Sequence, residues 1–179
     1  MRIISGKYKG KRLTAPKKLP VRPTTDMAKE ALFNILNNRF YFDELKVLDL
    51  FSGTGNISFE FASRGTEKIT AVDGHQGCVR YISKTAEELD FTIKTVKSDV
   101  FKFLKNAPEK FNLVFADPPY DFETEQFLNI ANLVFEKELL LEEGLLIIEH
   151  SEQTNLSEHP QFSEQRKYGS SIFSFFEVK

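Results

Sequence analysis

The feature that most limits what this chain can fold into is the order of its apolar segments. Runs at Lys46–Leu50, Lys68–Val72, Ile93–Lys97, Leu113–Ala116 and Leu145–Glu149 have strand length, and the stretches between them carry helical patterns near Asn56–Ser63, His75–Leu89, Val100–Asn106 and Glu123–Phe135. Strands separated by helices imply a parallel sheet covered on both faces, with right-handed crossovers fixing most of the topology. The end of the chain breaks the pattern: Phe162–Tyr168 and Ser171–Val178 flank the tight Gly169-Ser170 turn and predict an antiparallel hairpin. The expectation is an α/β fold with a mostly parallel seven-stranded sheet. Ahead of it, Pro23-Thr24-Thr25-Asp26 offers helix caps, and Ala28, Ala31, Leu32, Ile35 and Leu36 predict a helix over Met27–Asn38.

A chain of 179 residues is long enough for one well-packed domain, and no repeat or linker divides it, so residues 1–179 are expected to form a single unit. Its 41% hydrophobic and 28% charged content is that of a soluble globular protein, and no apolar run approaches the ~18 residues of a membrane span. The N-terminus lacks the apolar stretch of a signal peptide, and the single Cys78 excludes an internal disulfide framework. A cytoplasmic monomer with no membrane partner is expected. His75, His150, His159 and Cys78 lack ligand spacing, so no metal is predicted.

Net charge is −2 but unevenly spread. The first 25 residues hold eight basic side chains (Arg2, Lys7, Lys9, Lys11, Arg12, Lys17, Lys18, Arg22) and no acid, leaving 16 basic against 26 acidic residues in the remainder. Such asymmetry marks either an arm that meets phosphates or a solvated tail.

After the first sheet strand, Asp49-Leu50-Phe51-Ser52-Gly53-Thr54-Gly55 opens a helix, the setting in which a Gly-x-Gly turn lets a ligand approach backbone N–H groups at a positive helix end. The third glycine of the dinucleotide fingerprint is replaced by Ser58. Asp73 ends the second strand eighteen residues after Gly55, near the spacing of a ribose acceptor. Asp99 follows the third strand, where it could accept from an adenine amine; each acid could equally cap the helix after it. After the fourth strand comes Asp117-Pro118-Pro119-Tyr120, in which two prolines stiffen the turn and hold a carboxylate and carbonyls as rigid acceptors. All of these fall on the carboxyl edge where open α/β sheets bind ligands.

In this setting Asp117-Pro118-Pro119-Tyr120 resembles the signature of adenosylmethionine-dependent amino-methyltransferases acting on a planar exocyclic amine. The lone pair of such an amine is delocalised into the ring. If Asp117 and the Pro118 carbonyl accept its N–H bonds, the nitrogen can pyramidalise toward the sulfonium methyl, and holding that geometry can contribute about 7–11 kcal/mol. Tyr120 would stack on a base drawn out of its helix.

The resemblance extends along nearly the whole chain. Arg2-Ile3-Ile4-Ser5-Gly6, Lys9-Gly10-Lys11-Arg12-Leu13, Val21-Arg22-Pro23-Thr24-Thr25-Asp26 and Glu30-Ala31-Leu32-Phe33-Asn34 resemble the N-terminal extension of the RsmD family, which methylates the N2 amine of one guanine in bacterial 16S rRNA. The resemblance implies a Rossmann-like class I methyltransferase fold with S-adenosylmethionine as cofactor and an assembling small ribosomal subunit as partner. It places the cofactor on Asp49, Phe51, Gly53, Gly55, Asp73, Asp99 and Val100, and the target amine on Asp117 to Tyr120. Arg2, Lys7, Lys9, Lys11, Arg12, Arg22, Thr24 and Thr25 would face RNA, with Arg22 engaging phosphate or ordering the loop. Many members carry glutamate where this chain has Ala71, leaving the ribose to Asp73. The alternatives are an adenine-N6 methyltransferase, a nicotinamide dehydrogenase opposed by the missing third glycine, and an rRNA-binding assembly factor without catalysis.

Overall fold

The computed structural model describes residues 1–179 and contains the expected seven-stranded sheet, in the order β3-β2-β1-β4-β5-β7-β6. The strands are β1 (Lys46–Leu50), β2 (Lys68–Asp73), β3 (Ile93–Lys97), β4 (Phe111–Ala116), β5 (Leu140–His150), β6 (Phe162–Tyr168) and β7 (Ser171–Phe176). The first five run parallel, and the last two form the antiparallel hairpin that pairs with β5. Strand order reverses between β1 and β4, which opens a crevice at their carboxyl ends.

The helices are α1 (Asp26–Asn37), α2 (Asn56–Ser63), α3 (Gln76–Glu88), α4 (Val100–Lys105) and α5 (Thr124–Glu136), with a 3-10 turn at Phe42–Glu44 that the sequence pattern did not reveal. None is long and apolar enough to cross a membrane. Alternation along the strands builds two cores. Leu48, Leu50, Val114 and Ala116 face Val100, Leu104, Phe127 and Ile130 from α4 and α5, whereas Val47, Leu113 and Phe115 face Ala28, Leu32, Phe33 and Phe61 from α1 and α2.

Helix boundaries agree with the sequence pattern to within a residue or two, and the caps explain where the helices begin. The Thr25 hydroxyl accepts from the Ala28 N–H at the start of α1, and the Asp99 carboxylate accepts from the Lys102 N–H at the start of α4. Three strands differ from expectation by two residues or more. β4 begins at Phe111 rather than Leu113. β5 begins at Leu140 rather than Leu145, because a register shift against β4 between Phe111 and Leu113 admits the polar Glu142-Glu143 segment into the strand. β7 stops at Phe176, since Glu177 turns away and its N–H bonds the Gln161 carbonyl.

The basic N-terminal segment is a docked element rather than a tail. The Ile3 N–H donates to the Lys11 carbonyl and the Ile3 carbonyl accepts from the Gly10 N–H, Met1 and Leu13 exchange hydrogen bonds, and Ile3 and Leu13 are buried against Phe59 of α2 and Ile82 of α3. Ala71 lies in the same apolar cluster. Five hydrogen bonds tie the backbone to α2: the Ile4 and Ser5 N–H groups donate to the Glu60 carboxylate at 2.8 and 3.1 Å, the Lys7 N–H donates to the Ser63 carbonyl at 2.7 Å, and the Ser63 hydroxyl accepts from the Tyr8 N–H and donates to the Ser5 carbonyl. Gly6, at φ +87°, makes this approach possible, for a Cβ there would lie 1.9 Å from the Ser63 carbonyl oxygen. All eight basic side chains of the segment remain exposed.

Candidate functional site

A cleft of about 850 Å³ opens over the carboxyl edge of β1, β2, β4 and β5. Its lining brings together Asp49, Phe51, Gly53, Asp73, Asp99, Val100 and the whole Asp117-Pro118-Pro119-Tyr120 turn, with Arg22, Thr24 and Thr25 forming a wall from the N-terminal segment. This volume is in the range of small-molecule sites.

The glycine loop is built from unusual backbone. Phe51 and Gly53 have φ +56° and Gly55 has φ +84°, so the chain doubles back between β1 and α2. Phe51, for which that conformation is costly, is held by an edge contact with Phe122 at 5.6 Å. The Asp73 carboxylate fastens the loop: one oxygen accepts from the Gly53 N–H at 2.8 Å, the other from the His75 N–H at 2.8 Å. Capping and ligand contact do not compete here, because a carboxylate has about four acceptor sites and only two are used. Ser52 contributes a buried hydroxyl oxygen with no hydrogen-bond partner.

Gly55 is absent from the cleft wall. It faces inward, where a Cβ would sit 2.8 Å from Phe59 and 2.9 Å from Ile82, so its requirement is turn geometry and packing under α2. Ser58, in the place of the third glycine, is fully buried and donates its hydroxyl to the Asp49 carboxylate at 2.6 Å. Burial pushes the Asp49 carboxyl up to about 7; the Ser58 hydrogen bonds oppose this and nearby Asp73 adds to it.

The proline turn is pinned at both ends. The Asp117 N–H donates to the Leu50 carbonyl at 3.4 Å, and the Phe122 N–H donates to the Pro119 carbonyl at 3.2 Å. Phe122 is wedged among Phe51, Phe101 and Phe127. Between these pins the Asp117 carboxylate and the Pro118 carbonyl have no protein donor. Although the cleft leaves the residue partly open, the Asp117 carboxyl is enclosed, and this desolvation raises its pKa well above the ordinary carboxylate range; Glu149 and Asp49 raise it further and Arg22 opposes them.

Sequence reasoning missed Glu149. It follows Ile148 as Asp117 follows Ala116, and Ala116 and Ile148 are register partners on adjacent parallel strands, so the two acids stand side by side at the sheet edge. Glu149 is buried, accepts from the Thr24 hydroxyl at 2.6 Å and has its pKa raised by burial, with Thr24, Ser171 and Arg22 opposing. An acid at the end of a strand beside the crevice was the available signal. Also missed was the buried cluster behind the wall: Lys29 Nζ reaches the Arg2 carbonyl, Asn56 Oδ1 at 2.8 Å and Glu60 Oε1 at 3.3 Å, while Asn56 donates to the Thr24 carbonyl. Tyr120 is 63% exposed, with the Arg22 guanidinium 4.6 Å over its ring centroid.

Arg2, Lys7, Lys9, Lys11 and Arg12 lie outside the cleft. Arg2 and Arg12 instead border a shallower hollow of about 330 Å³ that shares Pro23, Thr24 and Thr25 with it, and Arg2 pairs with Asp26 at 3.2 Å. A basic surface therefore adjoins the cleft mouth.

The family described as conserved hypothetical protein 95 matches residues 1–177. YlbH of Bacillus subtilis, provisionally named an rRNA methyltransferase, is 33% identical over 163 residues, covering 88% of this chain and 86% of its own length. Ribosomal RNA small subunit methyltransferase D of Haemophilus influenzae is 30% identical, covering 83% of this chain and 78% of its own. Among solved structures, an Escherichia coli protein provisionally titled methyltransferase yhhF superimposes with a TM-score of 0.84 at 27% identity, covering 98% of this chain and 96% of that one.

Proposed function

This chain belongs to that family, the RsmD methyltransferases, and from that membership we propose that it transfers a methyl group from S-adenosylmethionine to the exocyclic N2 of a guanine in small-subunit rRNA. One observation carries the reading: a rigid carboxylate and carbonyl, Asp117 and Pro118, lie unpaired in the same cleft as a glycine loop tied to Asp73. Unpaired acceptors in an enclosed site call for a ligand with donors. An aryl amine has two on one nitrogen.

The cleft fits the cofactor. The Gly53 turn brings backbone close to the ligand space at the start of α2, the Ser52 hydroxyl lacks a partner, and Asp73 and Asp99 keep free acceptor sites. When bound, adenosylmethionine supplies an electrophilic methyl on a sulfonium centre. The protein's own work is then positional. Asp117 and Pro118 hold the amine by its N–H bonds so that its lone pair leaves the ring plane, and Tyr120, backed by Arg22, offers an aromatic face for an extruded base. Methyl transfer leaves a cationic secondary amine, which needs no strong base to lose its proton; Asp117, in its carboxylate form, is an adjacent acceptor for it.

The outward-facing basic residues of the N-terminal segment supply phosphate attraction beside the cleft mouth, on an assembling small subunit in the cytoplasm, with the protein acting as a monomer. The test incubates the protein with labelled adenosylmethionine and hypomethylated small subunits, then identifies the product by nucleoside mass analysis. N2-methylguanine is expected. N6-methyladenine, or no labelled nucleoside, overturns the reading.

A further inference from the structure

Glu149 carries chemistry that the transfer step does not use. It stands beside Asp117 on the neighbouring strand, in the same cleft, with no basic side chain within salt-bridge distance of either acid. Its Oε2 accepts from Thr24 and the Ser171 hydroxyl also bears on the carboxyl, so two of about four acceptor positions are used and Oε1 keeps capacity for a ligand donor. Adjacent parallel strands are about 4.8 Å apart, so a ligand edge that reaches Asp117 also reaches its neighbour. Two buried acids side by side raise each other's cost of ionisation, and an arrangement of this kind persists where a ligand satisfies it.

Three residues with acceptors thus line one cleft: Asp117 with its carboxylate, Pro118 with its carbonyl and Glu149 with its carboxylate. The Watson–Crick edge of guanine presents three donors in a row, two on N2 and one on N1. Adenine presents two on N6 beside a bare N1 acceptor. Resting on the reading that guanine N2 is methylated, we propose that Glu149 is the base-specificity residue of this site, accepting the guanine N1–H while Asp117 and Pro118 hold the N2 amine. The groups facing Glu149 suit that role. Thr24 from the N-terminal segment and Ser171 from the hairpin orient its carboxyl, Arg22 and Asp117 set the local charge, and His150 beside it is engaged elsewhere, with Ser174 Oγ at 2.7 Å and the Ser151 carbonyl at 2.8 Å. A site whose buried acceptor meets a base without the matching donor leaves that acceptor unpaired against a lone pair, which disfavours the wrong base strongly.

2-Aminopurine separates the two roles, since it keeps the N2 amine but has no hydrogen on N1. Small subunits are reconstituted with rRNA carrying guanine or 2-aminopurine at the target position, and methylation rates are compared at one pH below the titration of guanine N1–H for both bases and every variant. Wild-type protein is expected to prefer guanine by about tenfold or more. Glu149→Ala should bring the ratio toward unity, mainly by slowing guanine. Glu149→Gln should narrow or invert it, because the amide N–H can donate to the bare N1, an outcome that a merely structural role does not produce. Binding of adenosylhomocysteine checks that each variant is folded, and if Glu149→Ala is not, the wild-type ratio and Glu149→Gln still decide. Equal wild-type rates on both bases overturn the assignment of Glu149 while leaving amine transfer intact. So does a guanine preference that survives in both variants. Methylation of neither base by wild-type protein overturns the function itself, and this assignment with it.

Discussion

The Arg22 guanidinium lies 4.6 Å over the ring of Tyr120, joining the N-terminal segment to the proline turn across the cleft mouth. Its charge also bears on the acids below, favouring the ionised forms of both Asp117 and Glu149 against the stronger effect of burial. Removing it raises the pKa of the pair further. Since the acceptor role needs an ionised carboxylate, Arg22→Ala should move the acidic limb of the kcat/KM profile to higher pH, whereas Arg22→Lys should largely restore it. Rates measured across pH with saturating cofactor test this. A limb that does not move would assign Arg22 to RNA contact alone.

In the proposed reaction Asp117 holds the reacting amine, and in the structure it contacts none of the groups that shape the glycine loop, apart from the backbone bond from its N–H to Leu50. Asp117→Ala should therefore lower kcat by on the order of 10²–10³, the size of losing one preorganised partner at a reacting centre, while cofactor affinity stays within a few-fold of wild type. Single-turnover rates and calorimetric titration with adenosylhomocysteine separate the two effects. Parallel loss of both would place the acid in the cofactor site instead.

Asp49 links the cleft to stability. An unfolded aspartate titrates near 3.8, whereas the buried folded carboxyl titrates at about 7, so between those values the native state binds the extra proton. Stability contributed by this group is thus highest below pH 4, falls as pH rises to about 7 and is level beyond, at up to about 1.4 kcal/mol per pH unit. Asp49→Asn keeps an acceptor for the Ser58 hydroxyl and removes the titration. The variant should gain on wild type as pH rises through that window, as read from urea unfolding of the unliganded protein. A pH-independent difference would show that Asp49 is not titrating there.

The basic side chains of the N-terminal segment project outward from a fixed backbone, so their effect on RNA should be graded rather than all-or-none. Lys9→Ala and Arg12→Ala are expected to weaken subunit binding and each to reduce the slope of log affinity against log salt by about one, with nucleotide choice unchanged. Salt titrations of subunit binding measure the slope. An unaltered slope would remove that residue from the RNA-facing surface.

Legibility from sequence followed the range of the interactions. The five parallel strands, the hairpin and the glycine and proline turns at the cleft could be read locally, because apolar period, Gly-x-Gly and Pro-Pro are written in consecutive residues. Gly55 was placed correctly in the turn but not in the wall, since which way a turn glycine faces depends on Phe59 and Ile82 across the fold. The docked N-terminal hairpin was hidden because Ile3 and Leu13 are isolated among charges, and their partners come from helices more than forty residues away. Nothing local marks Lys29 and Glu60 as buried; only the tertiary packing shows them 1% and 0% exposed. Glu149 looked like the polar end of a strand until the register set it beside Asp117.

That buried pair supports the last expectation. Glu60 gathers the Ile4 and Ser5 N–H groups, the Arg64 Nε at 2.8 Å and Lys29 Nζ, and Lys29 in turn holds the Arg2 carbonyl and Asn56 at the start of α2. Glu60→Ala strips all four donors of their acceptor at once and leaves an ammonium in a dry site, where burial already lowers the Lys29 pKa. Breaking a buried ion pair from one side costs about 3–5 kcal/mol, and part of that cost should appear locally as release of residues 1–13. Limited proteolysis should then cut within Lys7–Arg12 in the variant at protease levels that leave wild type intact, and subunit binding should weaken because the basic face is no longer held beside the cleft. The double variant Lys29→Met, Glu60→Met removes both charges and should recover much of the global stability without recovering the docked hairpin, whose Ile4 and Ser5 N–H groups still lack an acceptor. If the hairpin stays protected in Glu60→Ala, the apolar seat of Ile3 and Leu13 is sufficient to hold it, and the acid serves only to neutralise Lys29.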